Sequence, residues 1–338
     1  MSIKYIAKKE VDYEEIRKLL DVSIEKNQVS NNGPIKRQLE KKLEQLLELD
    51  EDRCVICTSS GTSALHTVMY YCEKEKHYSW VSPEYTFPSV AIGKAFNVEL
   101  SKVNARGGLD IDPHLLKYDG IVITNLFGSC FDLGAWQEFC KISNKVLIFD
   151  NASSPLSRFN QKNMCNFGDY CIGSLHHTKY LGFGEGGFIV AKKHEYEELN
   201  ALTNFGFHLN REPKEYSSNA KMSDVSAAFI LNYVYNYDIE AHKNNQAILV
   251  KELRDSDDIE IFNYSEGVVY GNLPILFKDK QDNLIFKDLG IEAQKYYYPL
   301  RGGDAAMSLY SRIVNFPLHA YLSEYELEYM IQQIRSKK

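Results

Sequence analysis

The sequence predicts an α/β protein: a mostly parallel central sheet with helices on both faces, followed by a smaller C-terminal α+β domain. Between residues 50 and 230, short segments that are apolar on both strand faces alternate with helical segments, as in a sheet covered on both sides. Beyond about residue 230 the pattern changes to a long helical stretch, short strands and a last helix. The 338 residues also exceed the length at which a single core usually keeps growing. We therefore expect a large domain over residues 1–235 and a small one over 236–338.

Composition and charge exclude several classes of protein. The formal net charge of −7 argues against a general nucleic-acid or anionic membrane surface, so neither partner is expected. No run of about 18 apolar residues predicts a membrane span. The first residues lack the apolar core of a secretory signal, and the seven scattered cysteines suit reduced thiols, so a cytoplasmic location is expected. Cys54 and Cys57 should point to opposite faces of a strand, and no metal site is predicted.

The first 72 residues predict two helices and then a strand, a turn and a third helix. Apolar residues recur at helical spacing over residues 11–27 and again over about 35–48, and the turn NNGP (31–34) separates the two segments. Residues 53–72 begin with an apolar run, pass through small hydroxyl residues and continue as an apolar helix.

The rest of the chain is assigned by the same patterns. Strands are predicted at 98–103, 145–154, 169–175 and 187–193, and helices at about 88–96 and 134–143. Two further segments, 80–90 and 119–129, are each predicted to begin as a strand and end as a loop. In the C-terminal part we predict one long helix over 223–254, strands at 259–263, 268–277 and 292–300, and an amphipathic helix over 323–335.

A lysine segment, IGSLHHTKYLGFGEGGFIV (172–190), is the most informative stretch for function. It places Ser174 at the end of a strand and Lys179 in a loop before a glycine-rich run and another strand. A lysine between apolar strands would be desolvated, which lowers its pKa and makes the amine a nucleophile for Schiff-base chemistry. Taken alone, the segment is also compatible with an ordinary solvated loop lysine.

Asp150 ends the strongly apolar strand LIFD (147–150). Ligands of open α/β sheets bind at the carboxyl ends of strands, where a carboxylate can pair with a ring nitrogen, a metal or a ribose. A helix cap or a turn is the alternative, and position alone leaves both open.

Two further segments have a functional and a plain structural interpretation. TSSGTSAL (58–65) puts Gly61 and hydroxyl residues at the start of a helix, which suits a phosphate or simple N-capping; no GK[ST] follows, so it is not a P-loop. PEYTFPS (83–89) presents Tyr85 and Phe87, whose rings could stack on a planar cofactor or pack in the core.

Taken in their order along the chain, the four segments resemble the DegT/DnrJ/EryC1/StrS sugar aminotransferases, which are pyridoxal-phosphate (PLP) enzymes of fold type I. The resemblance covers nearly the whole chain. It also includes NLFGS (125–129), FDNAS (149–153), NAKMSDVSAA (219–228) and the C-terminal segment VNFPLHAYLSEYELEYMIQQI (314–334).

The resemblance implies two catalytic residues and a stacking ring. Lys179 would bind PLP covalently and later move a proton between the cofactor and the sugar carbon. Asp150 would pair with the pyridinium nitrogen and keep it protonated, so that the ring acts as an electron sink. Phe87 would stack on the ring. Ser153 stands where the family often has Gln or His against the 3-hydroxyl of the cofactor.

The resemblance also implies how the cofactor phosphate is bound. The groups that would hold it come from one subunit: Gly61, Thr62, Ser63 and Ser174. Asn219 would reach the same phosphate from the partner subunit of a homodimer, which places the active site at the subunit interface.

The implied activity is transfer of an amino group from glutamate to a nucleotide-linked keto sugar, for surface polysaccharide or amino-sugar biosynthesis. One alternative is a PLP-dependent nucleotide-sugar dehydratase, in which a His would replace Lys179. A second is a non-catalytic PLP-binding or sensory protein, which Ser153 and Lys221 (an Arg in the family) keep open. The compact segment 296–319 carries Arg301 where the family commonly has a longer stretch with a His, so substrate choice should differ there.

Overall fold

The structure is a computed structural model that describes residues 2–128, 132–207 and 216–337. Its α-helices are α1 (Tyr13–Glu25), α2 (Pro34–Leu46), α3 (Gly61–Cys72), α4 (Leu133–Ile142), α5 (Tyr196–Leu202), α6 (Asp224–Asn236), α7 (Ile239–Leu253), α8 (Leu284–Asp288), α9 (Asp304–Arg312) and α10 (Glu324–Arg335). Its strands are β1 (Arg53–Thr58), β2 (Trp80–Pro83), β3 (Glu99–Ser101), β4 (Gly120–Thr124), β5 (Val146–Asp150), β6 (Arg158–Phe159), β7 (Lys162–Asn163), β8 (Tyr170–Ser174), β9 (Gly187–Lys192), β10 (Ile259–Ile261), β11 (Leu273–Phe277) and β12 (Ile313–Phe316).

The central sheet has seven strands in the order β1-β9-β8-β5-β4-β2-β3. Strands β8, β5, β4, β2 and β3 pair in parallel, whereas β9 runs antiparallel to both of its neighbours. Thr124 pairs with Asp150, and Asp150 pairs with Ile172, so the carboxyl ends of β4, β5 and β8 meet at one edge. The predicted fold class is confirmed, and this edge is where the site forms.

Helices cover both faces of this sheet, as its fully apolar strands predicted. On β1, Cys57 packs with Leu39 of α2 on one face, and Cys54 packs with Val68 of α3 on the other. The two thiols therefore lie on opposite sides of the sheet, as the alternation of side chains along a strand requires.

A smaller antiparallel sheet, β10-β11-β12, follows in the C-terminal part of the chain. Ile275 of β11 belongs to the same apolar cluster as Ile121 of β4, so the two sheets share a core. The division of the chain at residue 235 stays a prediction. None of the helices described above combines the length and apolar character that crossing a bilayer requires.

Three predicted elements were wrong. The helix expected at 88–96 is two short 3₁₀ turns, Pro88–Ala91 and Gly93–Ala95, because Ile92 is extended and Gly93 has a φ of +53°. The helix over 223–254 is two helices, since the carboxylate of Asp238 accepts a hydrogen bond from the amide of Ala241 and starts α7 afresh.

The third error concerns the strand predicted at 292–300. That segment makes only an isolated bridge between Gln294 and Asn315. Besides β10, the strand that pairs with β11 is β12, which we did not predict. Four residues between a helix and a loop carry too little periodicity to identify a strand without its partner.

Candidate active site

A cavity of about 400 Å³ lies at the carboxyl edge of the parallel strands. Thr124, Asp150 and Ser174, the last residues of β4, β5 and β8, all line it. The loop before β9 contributes Lys179, and the C-terminal region contributes Tyr297. The strand order thus gathers side chains that are far apart in the sequence.

Lys179 lies in a tight turn between β8 and β9. Its amide donates to the carbonyl of His176 at 2.8 Å, and the amide of Gly182 donates to the Lys179 carbonyl at 2.9 Å. A side chain at Gly182 would put its Cβ 2.1 Å from the His176 carbonyl oxygen, so this turn needs glycine. Burial lowers the pKa of the Lys179 amine, and the charge of Asp150 partly offsets the shift. The loop lysine is therefore desolvated, as its chemistry would require.

Asp150 is 5% exposed and faces the same cavity. Burial raises the pKa of its carboxyl group, while a 2.9 Å hydrogen bond from the amide of Ala152 and the charge of Lys179 act in the opposite direction. A carboxylate in this position is stabilised by a positively charged partner inside the cavity.

The start of α3 forms another wall of the cavity. Gly61 and Thr62 line it, and a Cβ added at Gly61 would lie 3.3 Å from the Ser174 side chain. Ser60 caps the helix by accepting from the amide of Ser63 at 3.0 Å. The Ser63 hydroxyl lies 2.9 Å from that of Ser60, and Ser63 is not among the lining residues. A helix start with hydroxyl groups facing a cavity is suited to a phosphate.

The two aromatic candidates have different environments. Phe87 is 52% exposed and lines the cavity, so its ring face is available to a planar ligand. Tyr85 is fully buried, and its hydroxyl donates to the carbonyl of Tyr296 at 2.9 Å. The stacking interpretation thus applies to Phe87 and the packing interpretation to Tyr85.

Ser153 also lines the cavity, and its hydroxyl lies 3.1 Å from that of Tyr297. Sequence reasoning did not single out Tyr297, because the run Tyr296–Tyr298 had no feature that separated one ring from the next. Its position depends on how the C-terminal region folds back over the sheet.

Asn219 lies apart from these residues. It is exposed, it does not line the cavity, and its side-chain oxygen accepts a hydrogen bond from Lys221. Its predicted contact with a partner subunit stays a prediction. Ser129, the last residue of the NLFGS segment, and Cys130 lie outside the described residues.

The lining residues fit PLP, a flat phosphorylated aldehyde with a basic ring nitrogen. The cavity combines a desolvated amine, a buried carboxylate, an open aromatic face and a helix start within one space. Within the described ranges, no group of three or more His, Cys, Asp or Glu residues is arranged to hold a metal ion.

The chain is similar to known proteins over nearly its whole length. The model of the DegT/DnrJ/EryC1/StrS aminotransferase family matches residues 10–335. The dTDP-4-amino-4,6-dideoxy-D-glucose transaminase of Shigella dysenteriae is 28% identical, over 96% of this chain and 96% of that protein.

Solved structures share the fold. Helicobacter pylori PseC, an aminotransferase involved in the biosynthesis of pseudoaminic acid, superposes with a TM-score of 0.85 at 16% identity, covering 99% of both chains. DesI, solved in the presence of its TDP-sugar product, superposes with a TM-score of 0.84 at 19% identity, covering 99% of this chain and 92% of that one. The chain therefore belongs to the DegT/DnrJ/EryC1/StrS aminotransferase family, whose enzymes depend on PLP.

Proposed function

We propose that this aminotransferase moves an amino group from glutamate to a nucleotide-linked keto sugar, with Lys179 and Asp150 as its catalytic residues. The observation that carries the proposal is the buried pair itself. The amine of Lys179 and the carboxyl group of Asp150 face one cavity at the carboxyl edge of the sheet, and burial shifts the pKa of each. The names of the Shigella transaminase and of DesI support a nucleotide-linked sugar as the acceptor.

Each group in the cavity has a distinct part in the reaction. Bound PLP supplies the electron sink that stabilises negative charge at the reacting carbon. Asp150 keeps the ring nitrogen protonated, and Phe87 covers the ring face. Lys179 holds the cofactor through its amine and then moves the proton at the carbon that gains or loses the amino group.

The remaining site residues bind the phosphate and orient the ring. Gly61, Thr62, Ser63 and Ser174 hold the phosphate at the start of α3, with Asn219 added by the partner of a homodimer. Ser153 lies on the 3-hydroxyl side of the ring.

The small C-terminal domain, residues 236–338, contributes Asn272 and Tyr297 to the wall of the cavity. The product serves surface polysaccharide or amino-sugar biosynthesis. The described cysteines are all free thiols, which supports a cytoplasmic location for the reaction.

The experiment separates the two half-reactions. Holoenzyme mixed with glutamate alone should release about one equivalent of 2-oxoglutarate per active site, as a ping-pong enzyme does. A panel of 3-keto and 4-keto nucleotide sugars then identifies the acceptor by amino-sugar formation. Lys179→Gln should abolish both steps, whereas Lys193→Gln, at an exposed position, should leave them unchanged.

Two outcomes would contradict the proposal. If the holoenzyme mixed with glutamate releases no 2-oxoglutarate, the result would favour a non-catalytic PLP-binding protein. A nucleotide sugar that loses a hydroxyl group as water, and gains no nitrogen, would favour a dehydratase.

A further inference from the structure

The hydroxyl group of Tyr297 occupies the same cavity as Asp150 and Lys179, and nothing in the proposed reaction so far uses it. Its oxygen lies 3.1 Å from the Ser153 hydroxyl. Its ring is stacked on Phe127 with centroids 5.5 Å apart and an interplanar angle of 11°. A side chain held at both its ring and its hydroxyl has a defined direction, unlike a mobile surface tyrosine.

Two more rings fix the position of Tyr297. Tyr85 and Phe87 meet it edge to face, with centroids 6.5 and 6.2 Å away. Phe87 is the ring proposed to cover the cofactor, so Tyr297 touches the side chain that would define the cofactor plane. The hydroxyl is therefore held beside the cofactor space.

The Tyr297 phenol is a hydrogen-bond donor at neutral pH. Burial raises its pKa to about 12, with the Ser153 hydrogen bond lowering the pKa and the charge of Asp150 raising it. The phenol thus keeps its proton. When Ser153 donates to the phenolic oxygen, the phenolic hydrogen is free to point into the cavity.

PLP brings a group that needs such a donor. Its ring carries an oxygen at C3, next to the aldehyde carbon that a lysine attacks, and this oxygen is negatively charged in the bound form. A buried anionic oxygen without a donor is costly. The phosphate is assigned to the start of α3 and the ring nitrogen to Asp150, so only Ser153 has been assigned so far to the side of the ring that carries the 3-oxygen.

Two other polar side chains of the cavity already have partners. The hydroxyl of Thr124 is bonded to that of Thr86, and the amide of Asn272 donates to Asn315 at 3.0 Å. Ser153 lies in the turn after β5, three residues beyond Asp150, but its side chain is short. The longer side chain of Tyr297, whose hydroxyl is hydrogen-bonded to that of Ser153, can therefore serve as the donor.

We propose that Tyr297, oriented by Ser153, donates a hydrogen bond to the 3-oxygen of bound PLP. The donor thus comes from the C-terminal region rather than from the strand end beside Asp150. The proposal rests on the cofactor placement in the proposed function and is independent of the sugar acceptor.

The test removes the hydroxyl and keeps the ring. Tyr297→Phe should weaken PLP binding to the apoprotein about tenfold, as expected for a hydrogen bond to a charged group. Without the donor the 3-oxygen is more basic, so the pH midpoint of the bound cofactor's visible absorption should rise by about one unit. Ser153→Ala should shift both readouts in the same direction by less.

Tyr298→Phe is the matched control, because Tyr298 is exposed and contacts Tyr310 outside the cavity. It should bind PLP and titrate as the wild type does. The proposal is overturned if Tyr297→Phe matches the wild type in both readouts, or if Tyr298→Phe shifts as far as Tyr297→Phe. If Tyr297→Phe fails to fold, Ser153→Ala tests the same contact by removing the hydroxyl that orients Tyr297. A Ser153→Ala variant whose bound cofactor titrates as in the wild type would overturn the orienting role of Ser153. Neither readout uses a sugar, so a failed aminotransfer assay leaves the result interpretable.

Discussion

Lys9 is a cation that the fold places against the loop carrying Lys179. Its amine donates to the carbonyl oxygen of Lys179 at 2.6 Å and also to that of Gly182. It lies 4.4 Å from the centroid of the Tyr233 ring. These partners are neutral, and burial lowers the pKa of the amine from its ordinary value of 10.5 to about 7. The hydrogen bonds of Lys9 therefore stabilise the turn that carries Lys179, while its amine is partly buried.

This shift predicts a pH dependence of stability. Between about pH 7 and 10 the unfolded chain holds the Lys9 proton and the folded chain does not, so stability rises with pH in this window. Relative to Lys9→Met, the wild type should therefore gain at least about 1.4 kcal/mol of unfolding free energy from pH 7 to 10, the value of one pKa unit. Urea unfolding at several pH values measures this difference.

The control for Lys9 is its neighbour. The side chain of Lys8 is 88% exposed, so Lys8→Met should follow the pH curve of the wild type. Equal slopes for the wild type and Lys9→Met would mean that the Lys9 amine is not desolvated in solution.

At the scale of elements, the N-terminus of α2 is capped by a side chain of α6, nearly 190 residues further along the chain. Its N-cap, Gly33, has no side chain to accept hydrogen bonds. The buried carboxylate of Asp224, in the first turn of α6, accepts instead from the amides of Ile35 and Lys36 at 3.0 and 2.9 Å, and from the Ser23 hydroxyl. A Cβ at Gly33 would lie 2.4 Å from this carboxylate, which explains the glycine. The cap therefore joins α1, α2 and α6.

Asp224→Ala should lower the free energy of unfolding by about 3 kcal/mol, because it removes a cap and leaves several buried donors unpaired. Asp238→Ala removes an exposed cap with one hydrogen bond, from the amide of Ala241 to α7, and should lower it by about 1 kcal/mol. Chemical denaturation of both variants measures the difference. Similar losses would show that the carboxylate of Asp224 does not tie the three helices together.

At the scale of the whole molecule, the resemblance to the family predicts that Asn219 completes the site of a second subunit. Asn219 is exposed and lies outside the cavity of its own chain. If it binds the phosphate across a homodimer interface, Asn219→Ala should weaken PLP binding about tenfold.

Mixing two defective subunits tests this arrangement, at a PLP concentration that loads most wild-type sites but few Asn219→Ala sites. Lys179→Ala and Asn219→Ala, refolded or co-expressed together, form heterodimers in which one site has both an intact lysine and an intact asparagine. The restored sites alone should then supply about a quarter of the wild-type activity, the share expected for random pairing. Activity no higher than the average of the two separate variants would place Asn219 outside any shared site.

Local sequence patterns predicted much of the sheet and part of the site. The apolar runs that end at Thr124, Asp150 and Ser174 were recognisable as buried strands, and parallel strands bring their carboxyl ends to one edge. Asp150, Lys179 and Phe87 became candidates because each ends, follows or precedes a predicted strand, and the resemblance to the family then assigned their roles. Local signals failed at residues 88–96 and 223–254, where apolar periodicity continued through a break that Gly93 and Asp238 impose.

The sequence by itself determined the fold class and the family and gave the candidate residues for binding the cofactor, because each of these depends on short-range periodicity or on motifs within a few residues. The tertiary structure alone placed Tyr297 beside Ser153, Lys9 against the Lys179 turn and Asp224 at the start of α2. Each of these contacts joins residues 144 to 189 positions apart. Such a contact leaves no local pattern, since burial and hydrogen bonding arise only when the chain folds back on itself.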